Sequence, residues 1–156
     1  MSRNSTAPFG ISRTLVLEYW LPILVWIFAN YLFSTDAFSS GHTSKFFTPI
    51  LRFLLPGSSD AQLEFWHHVL RKIGHVSEYF FLAVITWRAL KYEAGYSANI
   101  LLLSFVFVFS AASLDELHQA LTISRTASPI DVGYDCFGGL LALWLLGLSR
   151  GYVKHE

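Results

Sequence analysis

Four stretches of the chain stay apolar long enough to consider for a bilayer, and each is broken by polar residues near one end. They are LVLEYWLPILVWIFANYLFST at 15–35, IGHVSEYFFLAVITWRAL at 73–90, SANILLLSFVFVFSAASLDELHQAL at 97–121 and IDVGYDCFGGLLALWLLGLS at 130–149. A helix needs about 20 mostly apolar residues to cross ~30 Å of hydrocarbon. The pattern therefore predicts an all-α, polytopic membrane bundle of four transmembrane helices, running up, down, up, down, with both termini on one side. Arg3 and Arg13 precede the first run as they would in a signal peptide. No small-x-small cleavage site follows, and the run is long and aromatic, so it is expected to stay as an anchor. Pro22 inside it is tolerable as a kink, and this helix is expected to supply mainly packing.

Length makes the third and fourth runs informative. The uninterrupted apolar part of the third, 100–114, rises only ~22 Å at 1.5 Å per residue, so it crosses only if the turn from Asp115 to Gln119 is drawn in. The fourth likewise needs Asp131 to Asp135. A carboxylate at a helix centre costs roughly 2.5–3.5 kcal/mol, so these groups should face one another or a wet cavity. The four-span topology brings the start of the second helix, the end of the third and the start of the fourth to the same side.

The connection at 36–72 holds two further pieces. SKFFTPILRFLLPG is too short to span, and Pro49 argues against a regular helix, so it reads as an interfacial or re-entrant segment. After a loop at Pro56, Gly57, Ser58 and Ser59, DAQLEFWHHVLRK resumes a helical period and is expected to run straight into the second span. The adjacent His67 and His68 point in different directions on a helix and make a poor metal pair.

Composition supports the membrane reading of a single domain over residues 1–156. The chain is 53% hydrophobic, 17% aromatic and only 14% charged, far from an ordinary soluble domain. Net charge is zero and no Lys/Arg block stands out, which argues against a nucleic-acid partner. The one cysteine, Cys136, sits in an apolar run and is expected to be a small core residue. Arg3, Arg13, Arg88, Lys91, Arg150 and Lys154 lie on one predicted side, against Lys45, Arg52, Arg71, Lys72 and Arg125 on the other. Setting aside Arg71, Lys72 and Arg125, which sit among the convergent polar residues, the remaining bias places the termini in the cytoplasm.

Helical spacing sorts those residues into stripes. Arg71, His75, Glu78, Tyr79 and Leu82 fall three or four apart in the second helix. Asp115, His118, Gln119 and Thr122 do so in the third, with Glu116 about 100° away near the face of Ala112. Asp131, Tyr134, Asp135, Gly138 and Ala142 line up in the fourth, where small residues permit close helix contact. Structural roles compete at each position. Ser128 suits an N-cap, Pro129 the first helical position, and Asp131 the third, where a carboxylate returns a hydrogen bond. His75 and Glu78 can satisfy each other, Arg125 can pair with Glu116 or an Asp, and Tyr79 and Gln119 suit interhelical hydrogen bonds.

The ordered motifs RKIGHVSEY, LDELHQ and RTASPID, followed by the Gly-rich FGGLLALWLLG, resemble the VanZ-like family of small bacterial membrane proteins, over about residues 20–148. The resemblance implies that Arg71, Lys72, His75, Glu78, Tyr79, Asp115, Glu116, His118, Gln119, Arg125, Ser128 and Asp131 are this chain's versions of the family's polar positions. It implies a bacterial cytoplasmic-membrane location and an association with resistance to teicoplanin and related glycopeptides. Asp135 departs from the family pattern, which often has Asn there.

Three functions fit these residues. The first is binding or remodelling of envelope lipids or lipid-linked cell-wall intermediates at the outer face of the membrane. Arg71, Lys72, His75, His118 and Arg125 would hold a phosphate headgroup, oriented by the acids. The second is hydrolysis or transfer on a lipid phosphate or glycolipid, with His75 or His118 as base or nucleophile, Asp115 or Glu78 as its orienting partner, and Arg125 stabilising the anion. Ser124 and Arg125 followed by an acid share ingredients with membrane lipid phosphatases, but the second histidine at its expected spacing is missing. The third is metal chemistry at His75/Glu78 and Asp115/His118; paired Glu-x-x-His motifs are missing, so no metal and no cofactor is expected.

Overall fold

The computed structural model describes residues 15–35, 40–94, 98–122 and 128–153. These residues form an all-helical protein. A π-helical turn at Leu15–Trp20 leads into α1 (Leu21–Phe33), followed by α2 (Ser40–Leu54), α3 (Asp60–Ala94), α4 (Ala98–Ala120) and α5 (Pro129–Val153). The widened turn stands just before Pro22, whose ring lacks an N–H and excludes the carbonyl four residues back.

Among the described residues, three helices are long and apolar enough to cross a membrane: Leu15–Phe33, Asn99–Ala120 and Pro129–Leu148. They carry the expected first, third and fourth spans. The expected second span lies within α3, whose 35 residues extend about 52 Å. Its polar residues have a physical reason: α3 packs against every other helix of the bundle, so its polar residues find protein on most sides. As expected, the stretch from Asp60 runs without a break into it. The start of α3 is closed by a reciprocal cap, in which Ser59 N donates to Gln62 Oε1 at 2.8 Å and Gln62 N donates to Ser59 Oγ at 3.4 Å.

Pro49 does not interrupt α2, contrary to expectation. The helix is short and amphipathic, with Phe46, Ile50, Phe53 and Leu54 exposed, so the one backbone hydrogen bond lost at Pro49 falls on a peripheral element. Leu51 is buried, and α2 rests on α3.

Packing is tightest where the small residues of α5 lie. A Cβ added at Gly138 would stand 2.1 Å from the Val76 carbonyl oxygen of α3, and one at Gly139 would stand 2.7 Å from Val108 Cγ1 of α4. Adjacent glycines thus let α5 sit between two helices at backbone distance. Below them a core of Leu82, Ala83, Ala89, Val108, Ala112, Ala142 and Leu143 is joined by Ile23 of α1. Serines along the helices satisfy their own hydroxyls: Ser104 donates to Ile100 O at 2.7 Å, and Ser110 and Ser113 donate to Val106 O and Phe109 O at 2.8 Å.

Candidate functional site

The polar residues of three helices do meet at one end of the bundle, and α1 joins them. His75 Nδ1 lies 3.1 Å from Asp135 Oδ1, across α3 and α5, with Asp135 only 1% exposed. With Asp135 ionised, Nδ1–H donates and Nε2 is the nitrogen left for chemistry. The expected orienting partners of His75, Asp115 or Glu78, are thereby replaced by Asp135, the position flagged as a departure. Helix rotation explains this: a residue three along the same helix is beside His75, whereas Asp135 faces it across the contact that Gly138 makes close.

Two further clips bind α5 to its neighbours. Lys72 pairs with Asp131 and lies 5.2 Å above the Tyr134 ring. Glu116 Oε1 accepts from the backbone N–H of Ser128. The capping box expected between Ser128 and Asp131 is therefore corrected: Pro129 does open α5, but the carboxylate that returns a bond to the cap comes from α4, and Asp131 is engaged by Lys72. Glu116 is buried, and among the described residues its Oε2 finds no partner, as is true of Asp135 Oδ2.

On α4, Asp115 Oδ1 accepts from the Ser34 hydroxyl of α1, while its Oδ2 accepts from Gln119 Nε2 at 3.0 Å. Gln119 also reaches Ser34 Oγ at 3.5 Å. The His118 ring stacks on Tyr31 of α1, centroids 4.5 Å apart, and its Nδ1 is buried without a hydrogen bond. Trp26 Nε1 donates to the Glu78 carbonyl at 2.9 Å. Helix α1 is thus more than packing, correcting the expectation: Ser34, Asn30, Tyr31 and Trp26 all reach the polar end. Asn30 and Ser34, spaced four apart near the end of the first run, were the available sequence signal.

The structure separates the candidates into two cavities and a set of clips. A cleft of about 210 Å³ is lined by Ser34, Thr43, His67, Arg71, His75 and Glu78, with Phe33, Phe47 and Leu70 as its apolar share. A second cavity of about 280 Å³ lies between α1 and α4, and Tyr79, Asp115 and His118 line it. The Ser34–Asp115 bond joins a wall of one to a wall of the other. Lys72, Glu116, Gln119, Ser128 and Asp131 hold helices together around these spaces. Arg125 lies outside the described residues.

His67 is a participant that the spacing argument passed over. It is buried while His68 is exposed, as their divergent directions predict. Its Nε2 is 3.2 Å from the Thr43 hydroxyl, and Phe47 packs on the ring at 5.8 Å between centroids, so it docks α2 over the cleft. Burial first, then the charge of Arg71 and His68, hold this imidazole below its ordinary pKa. Among the described residues, no cluster of three or more His, Cys, Asp or Glu has metal-binding geometry.

A family model described as VanZ/LLP1 matches residues 8–150. The chain belongs to the VanZ/LLP1 family. No curated protein and no solved structure matches it significantly. In this VanZ-family chain RKIGHVSEY, LDELHQ and SPID occupy abutting helix ends joined by Lys72–Asp131, His75–Asp135 and Glu116–Ser128.

Proposed function

We propose that this VanZ-family chain is a four-span protein of the bacterial cytoplasmic membrane, with cytoplasmic termini, that binds the phosphate headgroup of an envelope lipid at its extracytoplasmic end. The observation that carries the reading is the cleft between α1, α2 and α3, where Arg71, His67, His75, Ser34 and Thr43 gather beside the apolar Phe33, Phe47 and Leu70. Guanidinium, imidazole and hydroxyl groups are the donors that phosphate oxygens accept from, and the aromatic side chains suit the upper acyl region. Asp135 behind His75 fixes the direction of that ring. The second span is α3 between 73 and 90, packed against the other helices, and α2 lies along the interface with its exposed phenylalanines in the headgroup layer.

Lipid-linked cell-wall intermediates carry phosphate of the same chemistry. Holding them at this cleft is how the protein would affect glycopeptide susceptibility. Native mass spectrometry of the detergent-extracted protein tests the reading. A copurified phosphate-bearing lipid is the expected result, and a ligand-free mass under gentle activation contradicts it.

The His75–Asp135 pair favours a second reading, a hydrolase or transferase of lipid phosphates. Oriented by Asp135, His75 Nε2 would take the proton of a water attacking phosphorus and return it to the lipid alcohol oxygen as the phosphorus–oxygen bond breaks, with Arg71 stabilising the anion. Phosphate release from a lipid phosphate, lost in His75→Gln while lipid is still bound, would establish this reading. Absence of any product from wild type would remove it.

A further inference from the structure

The cavity between α1 and α4 differs in chemistry from the cleft. Its length follows α4 from Phe107 to His118, eleven residues or ~16 Å. Ile27, Leu82, Phe107, Ala111 and Leu114 make it apolar for most of that length. Tyr31 is 50% and Leu114 67% exposed along it, and both of its long walls belong to helices apolar enough to cross the membrane. The mouth of the groove therefore opens sideways into hydrocarbon.

One end of this groove holds two acceptor side chains, Asn30 and Asp115. Asn30 is 7% exposed and lines the groove, and its Oδ1 has no hydrogen-bond partner among the described residues. His118, also in the lining, has a buried Nδ1 without a partner among the described residues, and its tautomer sets whether that nitrogen donates or accepts. Asp115 receives only the neutral donors Ser34 and Gln119 among the described residues. The Ser110 hydroxyl on the wall of α4 is given to Val106 O. Leaving a buried acceptor unpaired costs about 1–3 kcal/mol, and inside hydrocarbon no water offsets it.

We propose that the α1–α4 groove is an intramembrane lipid site that holds an acyl chain along its apolar length and takes a hydrogen-bond donor of the headgroup, hydroxyl or ammonium, on Asn30 Oδ1 and Asp115. A headgroup that ends in phosphate alone would bring no donor to Asn30 Oδ1 and would place its charge beside the Asp115 carboxylate, so it is disfavoured. This selectivity is the reverse of that assigned to the Arg71 cleft, and the inference stands independently of the headgroup reading there.

The test uses the full chain in detergent and lipids without phosphate, so that the cleft does not contribute. Competition by native mass spectrometry compares dioleoylglycerol, which brings one hydroxyl, its methyl ether, which brings no donor, and the analogue with an amine in place of the hydroxyl. The hydroxyl or the amine lipid is retained about fivefold over the ether, as one net hydrogen bond provides. Whichever of the two binds more tightly names the donor. Asn30→Leu abolishes the preference without loss of the fold. Ala111→Phe, which fills the groove from the α4 wall, lowers retention of all three lipids. Equal retention of the ether by wild type, or a preference unchanged in Asn30→Leu, overturns the proposal. Loss of phosphate-bearing lipid in Arg71→Ala reports on the cleft alone, so the two readings fail separately.

Discussion

The two ends of the bundle use similar residues in opposite ways. At the end formed by the start of α1 and the finish of α3, charged and aromatic groups meet at the surface. Tyr19 stacks on Tyr92 at 4.1 Å, Arg88 lies 4.8 Å over the Tyr19 ring, Lys91 lies 4.6 Å over Trp87, and Trp20 Nε1 donates to Glu93 at 3.2 Å. This is the arrangement of an interfacial aromatic belt, exposed and individually weak. At the other end the charges turn inward. His75, Glu116, Gln119 and Asp135 are buried, and Glu116 Oε2 and Asp135 Oδ2 have no hydrogen-bond partner among the described residues. A bundle that needed only to anchor itself would repeat the first solution at both ends. Unpaired inward-facing charges cost stability, a cost that the proposed headgroup would offset.

The largest effect is expected midway between the ends, where the glycines set how closely α3 and α5 approach. Gly138→Leu forces these helices apart at the Val76 carbonyl and should cost about 3 kcal/mol or more, seen as a collapse of the thermal unfolding temperature in detergent. Next comes Asp135→Ala, which strands a buried His75 and should cost about 3 kcal/mol. Asp135→Asn keeps an acceptor for Nδ1–H and should stay within about 1 kcal/mol of wild type by the same measurement. If Ala and Asn behave alike, the pair is not holding the polar end.

A change of sign is expected in the apolar half. Thr86 is 1% exposed and its Oγ1 has no hydrogen-bond partner, so Thr86→Val should be neutral or stabilise by up to about 1 kcal/mol. The smallest effect concerns pH. His67 has a lowered pKa in the folded protein. Its neutral form supports the docking of α2 above the ordinary imidazole pKa, and that support is lost as pH falls through the lowered value. Hydrogen exchange in α2 should therefore rise on acidification in wild type, and rise less in His67→Gln.

Much of this architecture was legible because the polar motifs stand at the ends of apolar runs whose lengths require them. The three helices apolar enough to cross a membrane, the continuity of α3 and the convergence of RKIGHVSEY, LDELHQ and SPID all follow from that arithmetic. Partner identity did not follow. Spacing along one helix ranks Glu78 beside His75, but the rotation of α5 about the Gly138 contact presents Asp135. Spacing assigns Asp131 to its own cap, while Lys72 claims it and Glu116 reaches in from α4. The contribution of α1 was hidden for a different reason: Asn30 and Ser34 are small uncharged interruptions in a hydrophobic run, and their meaning appears only when Asp115 is placed opposite.

The headgroup reading stands or falls on a paired comparison of wild type and Arg71→Ala by native mass spectrometry, with thermal unfolding measured on the same samples. The prediction is that wild type retains a phosphate-bearing lipid, and that Arg71→Ala releases at least about 1.5 kcal/mol more readily, the scale of a hydrogen bond to a charged group, at an unchanged unfolding temperature. Equal retention by both proteins, with or without a change in stability, would contradict a headgroup site at the cleft.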